Sequence, residues 1–255
     1  MTATIIAIVN QKGGVAKSTT AQNVGHCLMA KGNNVLYIDL DAQGNLSYTL
    51  KANTDGYNVL GALERPETAV KEVQKTELAD ILPSTPALSG ADSILTAVGK
   101  EYKLKECISQ IERSCDYDYI IIDTPPALSI LTINALTASQ FVIIPAQADI
   151  YSLQGISQLK STIDVVKKYT NPNLKVLGIA LTRYNARATL TKELTSMIKE
   201  TAKELNTVVF NTVIRENVAI KESQAVRQNL LKYAPKSNGC ADYKKLTDEI
   251  KARIL

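Results

Sequence analysis

The sequence predicts an α/β fold in one domain, with a mostly parallel, twisted sheet and helices on both of its faces. Strand-like and helix-like segments alternate along the whole chain, which is the order that a parallel sheet requires. Several strand-like segments are continuous runs rich in Ile and Val, as expected for strands that are buried on both faces. The 255 residues are enough for one sizeable core, and we expect a single domain over residues 1–255.

The individual elements follow from these patterns in order. The predicted strands are residues 5–10, 34–39, 80–83, 119–123, 141–145, 176–182 and 208–214. The predicted helices are residues 18–31, 103–114, 131–138, 153–169, 189–205 and 241–254. The helix at 153–169 has apolar residues at three- and four-residue spacing, which predicts one face packed on the sheet. Residues 51–79 have a weaker pattern and are predicted to form short helices and loops. Residues 232–240 are predicted to be an irregular connection before the last helix.

Composition excludes several classes of protein. No window approaches the ~18 consecutive apolar residues of a membrane span, and the short apolar run near residue 5 does not resemble a signal peptide. The four cysteines have no metal-ligand or C-x-x-C spacing. His26 is the only histidine, so a multi-histidine metal site is excluded and a structural role is favoured. We therefore expect a cytoplasmic protein.

Charge is distributed unevenly along the chain. Residues 1–150 hold 11 Lys and Arg against 16 Asp and Glu, whereas residues 151–255 hold 18 against 9. A basic half is one expected feature of a protein that binds a polyanion. Solvated helix surfaces would give the same imbalance, and the charge count alone does not separate the two.

The segment NQKGGVAKST, residues 10–19, has the pattern of a phosphate-binding loop. It follows an apolar strand and opens a helix, which is the context that this motif requires. Glycines allow a tight turn whose N–H groups point inward, and the helix N-terminus adds partial positive charge. Lys17 is placed to reach terminal phosphates and Ser18 to bind Mg²⁺. The predicted phosphate-binding residues are Lys12, Gly13, Gly14, Val15, Ala16, Lys17, Ser18 and Thr19.

The loop departs from the usual P-loop pattern and matches K-G-G-x-x-K-[ST], the deviant Walker A motif. On this motif the chain resembles the ParA/MinD superfamily, which implies a P-loop NTPase fold with ATP and Mg²⁺ as cofactors. The resemblance also implies a homodimer that sandwiches two nucleotides, with Lys12 reaching the phosphates of the partner subunit as a catalytic group beside Lys17. Ala16 stands where the superfamily usually has glycine, and its methyl group opposes a positive φ angle.

Two carboxylate motifs follow later strands. Alternation places Asp39 and Asp41 of DLDAQGN on one side of the chain, at the edge where the P-loop lies. The superfamily resemblance implies that Asp41 positions the attacking water and that Asp39 lies near the Mg²⁺ shell. The run YIIIDTPP ends a strand with Asp123, which is the Walker B arrangement that holds Mg²⁺ through water. The predicted metal residues are thus Ser18, Asp39 and Asp123.

The C-terminal half decides between branches of the superfamily. The segments GIALTRYNARATLTKEL and VIRENVAIKESQAVRQNLLKYAPKSNGCADYKKL resemble the ParA branch, which implies non-specific DNA binding in the ATP state, on the nucleoid, and a ParB-like adaptor that stimulates slow hydrolysis. The function implied is chromosome or plasmid partition. The candidate DNA-binding residues are Arg183, Arg187, Arg215, Lys221 and Arg227. Two departures from relatives are Arg215 in place of proline and Ala219 in place of arginine.

Two alternatives remain beside this interpretation. A MinD-like ATPase would end in a basic amphipathic anchor, but acidic residues interrupt the polar face of the terminal helix and disfavour an anionic membrane. We therefore expect no stable membrane association. Positioning of another cargo by the same cycle is left open, because the partner chooses the cargo. The first strand begins near Met1, so we expect no N-terminal helix-turn-helix extension and no sequence-specific operator binding.

Overall fold

The sheet has seven strands and is parallel except at one edge. The computed structural model describes residues 2–185 and 189–254. Within them the strands are β1 (Thr4–Ile8), β2 (Val35–Asp39), β3 (Gln74–Lys75), β4 (Asp80–Leu82), β5 (Tyr119–Asp123), β6 (Phe141–Ala146) and β7 (Lys175–Leu181). Their order is β3-β4-β2-β5-β1-β6-β7, and only β3 is antiparallel to its neighbour. The predicted α/β class with a mostly parallel sheet is confirmed.

Helices connect the strands and cover both faces of the sheet. They are α1 (Lys17–Met29), α2 (Asn45–Thr49), α3 (Val59–Glu64), α4 (Ala69–Glu72), α5 (Ala91–Ile94), α6 (Lys103–Ser114), α7 (Ile130–Ala138), α8 (Ile150–Tyr169), α9 (Thr189–Glu204), α10 (Val218–Ala225), α11 (Leu230–Tyr233) and α12 (Asn238–Ile254). The six predicted helices agree with the structure to within three residues at each end. Residues 51–79 form short helices and turns as predicted, whereas α10 and α11 were not predicted.

Alternate residues of the strands point into two separate apolar layers. One layer includes Ile5 and Ile122 and packs under α6, α7 and α8. The other includes Ile6 and Ile121 and packs under α1 and α12. Because α1 lies between the sheet and α12, most of its residues are buried. The P-loop helix is therefore fixed on two sides by the core.

Residues 208–214 do not form the predicted strand, so this prediction is wrong. The ends of this segment do bond to β7, because the Phe210 N–H donates to the Ile179 carbonyl (2.9 Å) and the Ile214 N–H to the Leu181 carbonyl (2.8 Å). Between these points the N–H groups of Asn211 and Thr212 donate to the Glu249 carboxylate of α12, at 2.7 and 3.0 Å. A side chain thus takes the place of a strand partner, and only isolated bridges remain.

The carboxyl ends of the parallel strands meet at one edge of the sheet. β1 lies between β5 and β6, and β2 pairs with both β4 and β5. The loops after β1, β2 and β5 therefore come together, and these loops carry the three predicted motifs. None of the helices among residues 2–185 and 189–254 is long and apolar enough to cross a membrane.

Candidate active site

The loop after β1 is fixed by side chains that bond to its backbone. Asn10 donates through Nδ2 to the Pro145 carbonyl (2.7 Å) and accepts from the Lys12 N–H (2.9 Å). Thr182, which follows β7, donates its hydroxyl to the Val15 carbonyl (3.1 Å). The loop is thereby tied to the ends of β6 and β7.

Two residues of the loop have left-handed backbone conformations. Gly14 has φ 75° and Ala16 has φ 68°. Glycine adopts such angles at little cost, whereas the alanine methyl group is strained there by about 1 kcal/mol. Ala16 immediately precedes α1 and gives no side-chain cap to it. The N-cap residue thus leaves the first N–H groups of α1 without a side-chain cap, and such groups favour an anion at this end of the helix.

Lys17 is a buried cation that faces acidic groups. Its residue exposure is 6%, and Nζ donates to the Lys12 carbonyl at 3.2 Å. Burial lowers the pKa of Lys17, while the charges of Asp123 and Asp41 oppose the shift. A buried ammonium with one protein acceptor keeps two donors free for an anionic ligand.

Asp123 and Asp39 lie side by side at the ends of β5 and β2, where they are register partners. Asp123 is fully buried, and its Oδ1 accepts the Thr124 N–H at 3.1 Å. Its Oδ2 is buried without a hydrogen bond of normal geometry, although the Ser18 hydroxyl lies close enough to lower the pKa of the carboxyl. Burial and then the Asp39 charge raise that pKa well above its usual value. An orphaned carboxylate oxygen beside a serine hydroxyl suits a hydrated Mg²⁺ ion.

Asp39 has a different environment from Asp123. Its Oδ1 accepts the Asp41 N–H (3.1 Å), and its Oδ2 accepts both the N–H and the hydroxyl of Ser47, at 2.8 and 2.7 Å. Burial raises the pKa of Asp39 to about 6, and the bonds from Ser47 oppose the shift. Both oxygens thus hold the loop that carries Asp41, which leaves Asp39 less suited to contact a metal than its position in the sequence suggested.

A cavity of about 490 Å³ opens over the P-loop. Six of the predicted phosphate-binding residues line it, namely Gly13, Gly14, Ala16, Lys17, Ser18 and Thr19, together with the predicted catalytic residue Asp41. Asp41 also accepts the Gln43 N–H through Oδ1, at 3.0 Å. Val15, another predicted phosphate-binding residue, is fully buried and does not line the cavity.

Lys12 extends away from the cavity. Its ammonium forms an ion pair with Asp149 and lies 5.8 Å from the centre of the Tyr151 ring. Asp149 also caps α8 by accepting the Ser152 N–H at 2.8 Å. In the single chain, Lys12 is therefore held at the start of α8, whereas the Lys17 side chain lines the cavity.

The predicted DNA-binding residues have separate environments. Arg183 lines the P-loop cavity. Arg215 makes a bidentate pair with Asp242 of α12, at 2.9 and 2.6 Å. Lys221 makes an exposed pair with Glu216 at 3.2 Å. Arg227 stacks on the Tyr48 ring at 4.6 Å and donates Nε to the Tyr48 carbonyl at 2.7 Å. The fifth, Arg187, lies outside the described residues.

Several residues at the site were missed by sequence reasoning. Gln224 donates Nε2 to the Thr19 hydroxyl (3.1 Å) and lines the cavity beside Tyr48. Ser47 and Ser84 bond to the Asp39–Asp41 loop. Apart from Ser47, which lies close to that motif, these contacts join residues far apart in the chain. No local spacing could have indicated them.

Comparison with known proteins places the chain in a family. A family model described as an AAA domain matches residues 3–176. The sporulation initiation inhibitor protein Soj of Bacillus subtilis is 39% identical, over 97% of this chain and 98% of that protein. The chromosome partitioning protein ParA of Myxococcus xanthus is 36% identical, over 98% of this chain and 88% of that protein.

A similar solved structure is the cobyrinic acid a,c-diamide synthase of Mycobacterium smegmatis, with a bound ATP analogue and magnesium. It is 32% identical with a TM-score of 0.80, over 96% of this chain and 93% of that one. The expected P-loop NTPase fold is confirmed. Because the Soj and ParA relatives align over nearly the whole chain, the protein belongs to the ParA/Soj family of partition ATPases.

Proposed function

We propose that the chain binds ATP with Mg²⁺ in the P-loop cavity, dimerises in that state, binds DNA without sequence preference and drives partition with a ParB-like partner. The observation that carries the proposal is the cavity itself, where buried Lys17 meets Ser18 and Asp41 at the N-terminus of α1. The M. smegmatis structure, which holds an ATP analogue and magnesium, supports the same cofactors here.

The residues of the cavity have distinct roles in this proposal. Lys17 and the loop N–H groups bind the terminal phosphates, and Ser18 and Asp123 hold Mg²⁺, the latter through water. Magnesium neutralises phosphate charge when it is bound. Asp41 orients the attacking water, because its carboxylate lines the cavity. Phosphoryl transfer depends mainly on such positioning and charge neutralisation, so no further base is needed.

Lys12 has a place in the proposed dimer. Its ion pair with Asp149 lies at the start of α8 and outside the cavity lining. To contact a nucleotide on a second copy, the ammonium must exchange Asp149 for phosphate oxygens. That exchange replaces one carboxylate by a more highly charged group and favours the ATP-bound dimer.

The C-terminal segment is connected to the nucleotide cavity at two points. Gln224 bonds to Thr19 in the first turn of α1, and Arg227 bonds and stacks on Tyr48 of α2, close to Asp41 in the chain. Through these two contacts, a structural change at the cavity acts directly on α10 and on the residues after it. Lys221 lies on α10, and among residues 2–185 and 189–254 its ammonium makes an exposed ion pair with Glu216 alone, so it is available to DNA phosphates.

The test is binding of the full chain to a non-specific DNA duplex with ATP, with ADP and without nucleotide, over a salt series. Tight, salt-sensitive binding only with ATP is expected, because a dimer neutralises twice as many phosphates. Asp41→Ala should bind ATP and stay on DNA, since the water is no longer oriented. Absence of DNA binding in every state would overturn the DNA part of the proposal, and fast release of Asp41→Ala would contradict the role of Asp41.

A further inference from the structure

Two serines connect the end of β4 to the loop that carries Asp41. Ser84 follows β4 and Ser47 lies in α2, and both are fully buried. β4 is the parallel neighbour of β2, with Ile38 opposite Leu82. The chain therefore brings Ser84 next to the residues that follow β2, although the two segments are far apart in sequence.

The hydrogen bonds form a continuous chain around the loop. The Ser84 N–H donates to the Ser47 hydroxyl at 2.9 Å, and the Ser47 hydroxyl donates to Asp39 at 2.7 Å. Asp39 in turn accepts the Asp41 N–H at 3.1 Å. The Ser84 hydroxyl closes the ring by donating to the Asp41 carbonyl. Both backbone polar groups of Asp41 are thus held. Asp39 accepts its N–H, and its carbonyl accepts the Ser84 hydroxyl and, within the loop itself, the Gly44 N–H at 2.8 Å.

We propose that Ser47 and Ser84 are positioning residues for Asp41, and that they fix its carboxylate in the P-loop cavity during hydrolysis. This inference rests on the proposed function, in which Asp41 orients the attacking water. Neither serine lines the cavity, so both act through Asp41 and not on the nucleotide.

The effect on hydrolysis follows from the geometry. Asp41 belongs to a loop outside regular secondary structure, which ends at Gly44 with φ 60°. Without the Ser84 hydroxyl, the Asp41 carbonyl keeps only the bond from Gly44 within its own loop and loses its bond to the segment after β4, so the loop gains freedom relative to the sheet. A displacement of about 1 Å at a reacting group lowers turnover by up to about 100-fold. The P-loop contacts of the nucleotide do not involve Ser84, so affinity for MgATP should be retained.

The experiment measures ATP hydrolysis by the full chain with Mg²⁺ for the wild type and for Ser84→Ala. We expect kcat to fall about tenfold, with KM for MgATP within about twofold because ground-state binding is unchanged. The matched control is Ser139→Ala. Ser139 is also buried and donates its hydroxyl to a backbone carbonyl, that of Ala135 at 2.6 Å, but it lies at the end of α7. The Ser139→Ala variant should lose about as much stability as Ser84→Ala and keep the wild-type kcat.

A double variant separates positioning from a merely structural role. If Ser84 acts through Asp41, Ser84→Ala should lower the residual single-turnover rate of Asp41→Ala by less than about twofold, because coupled residues are non-additive. A Ser84→Ala enzyme with wild-type kcat, or with a loss matched by Ser139→Ala, would overturn the inference. If Asp41→Ala itself hydrolyses ATP normally, the proposed function fails instead, so the two failures are distinguishable.

Discussion

The phosphate-binding edge of the sheet and the basic segment after β7 are built in different ways. At the edge, each motif directly follows a strand, and the parallel sheet brings the three strand ends together. In the segment at 208–233, irregular backbone is followed by the short helices α10 and α11. Its contacts are with distant side chains, since backbone N–H groups donate to Glu249 and the Gln224 side chain donates to Thr19. The chemistry of the first region can therefore be inferred from short sequence motifs, whereas that of the second region depends on tertiary contacts.

The largest effect is expected for Lys17→Ala, at the phosphate-binding edge. Lys17 supplies the buried positive charge at the cavity, and without it we expect affinity for ATP to fall by about 100-fold or more. Binding of a fluorescent ATP analogue measures the loss, and circular dichroism checks the fold. As a matched control, Lys160→Ala removes an exposed lysine paired with Asp164 at 2.8 Å. Unchanged affinity in Lys17→Ala would show that the cavity is not the nucleotide site.

The second change is Lys12→Ala, at the same loop but outside the cavity lining. ATP affinity should stay within about threefold, because Lys12 is paired with Asp149 in the single chain. Hydrolysis that depends on dimerisation should fall at least tenfold, since the charge offered to the second nucleotide is lost. Turnover is measured as a function of protein concentration. Wild-type turnover at high concentration would contradict the role in trans.

The third comparison is made within the basic segment, between Lys221→Ala and Arg215→Ala. Lys221 has an exposed ion pair and should contribute a phosphate contact, so its loss should weaken DNA binding about threefold with no change in melting temperature. Arg215 is committed to Asp242, whose side chain is only 7% exposed. Its removal should lower the melting temperature because a buried carboxylate loses its partner.

The control for both variants is Lys103→Ala, which removes a lysine paired with Glu106 in the acidic half of the chain. It should alter neither DNA binding nor melting. The opposite result would be equal effects of Lys221→Ala and Arg215→Ala on DNA affinity, with equal stability. It would show that the salt bridges of these two residues do not determine which of them is available to DNA.

The smallest expected effect is that of Ala16→Gly. Relief of about 1 kcal/mol of left-handed strain, less about 0.5–1 kcal/mol for the larger backbone entropy of glycine, should leave the free energy of unfolding of the nucleotide-free chain unchanged or raise it by up to about 0.5 kcal/mol. Urea unfolding measures it. Ala241→Gly, at an exposed position of α12, should instead lose about 1 kcal/mol. A loss in both variants would contradict the strain at Ala16.

The sequence predicted the strand ends, the P-loop and the acidic motifs because each depends on neighbouring residues. It also anticipated the backbone conflict at Ala16, where a residue that disfavours positive φ occupies a position that requires it. It could not indicate that both Asp39 oxygens would accept bonds, from Ser47 and from the Asp41 backbone. The wrong strand prediction at 208–214 has the same origin. The β-branched residues of this segment predict a strand, but they cannot show that the Glu249 carboxylate accepts hydrogen bonds from its N–H groups.

The Glu249 contact has a further consequence for how copies of the chain meet. β7 is an edge strand, and an open edge is a template for strand addition by another chain. Residues 208–214 cover part of that edge, and the Glu249 carboxylate occupies two of the N–H groups that an incoming strand would use. Self-association by sheet extension is disfavoured on this side. Copies of the chain at high local concentration are thereby protected against aggregation through β7.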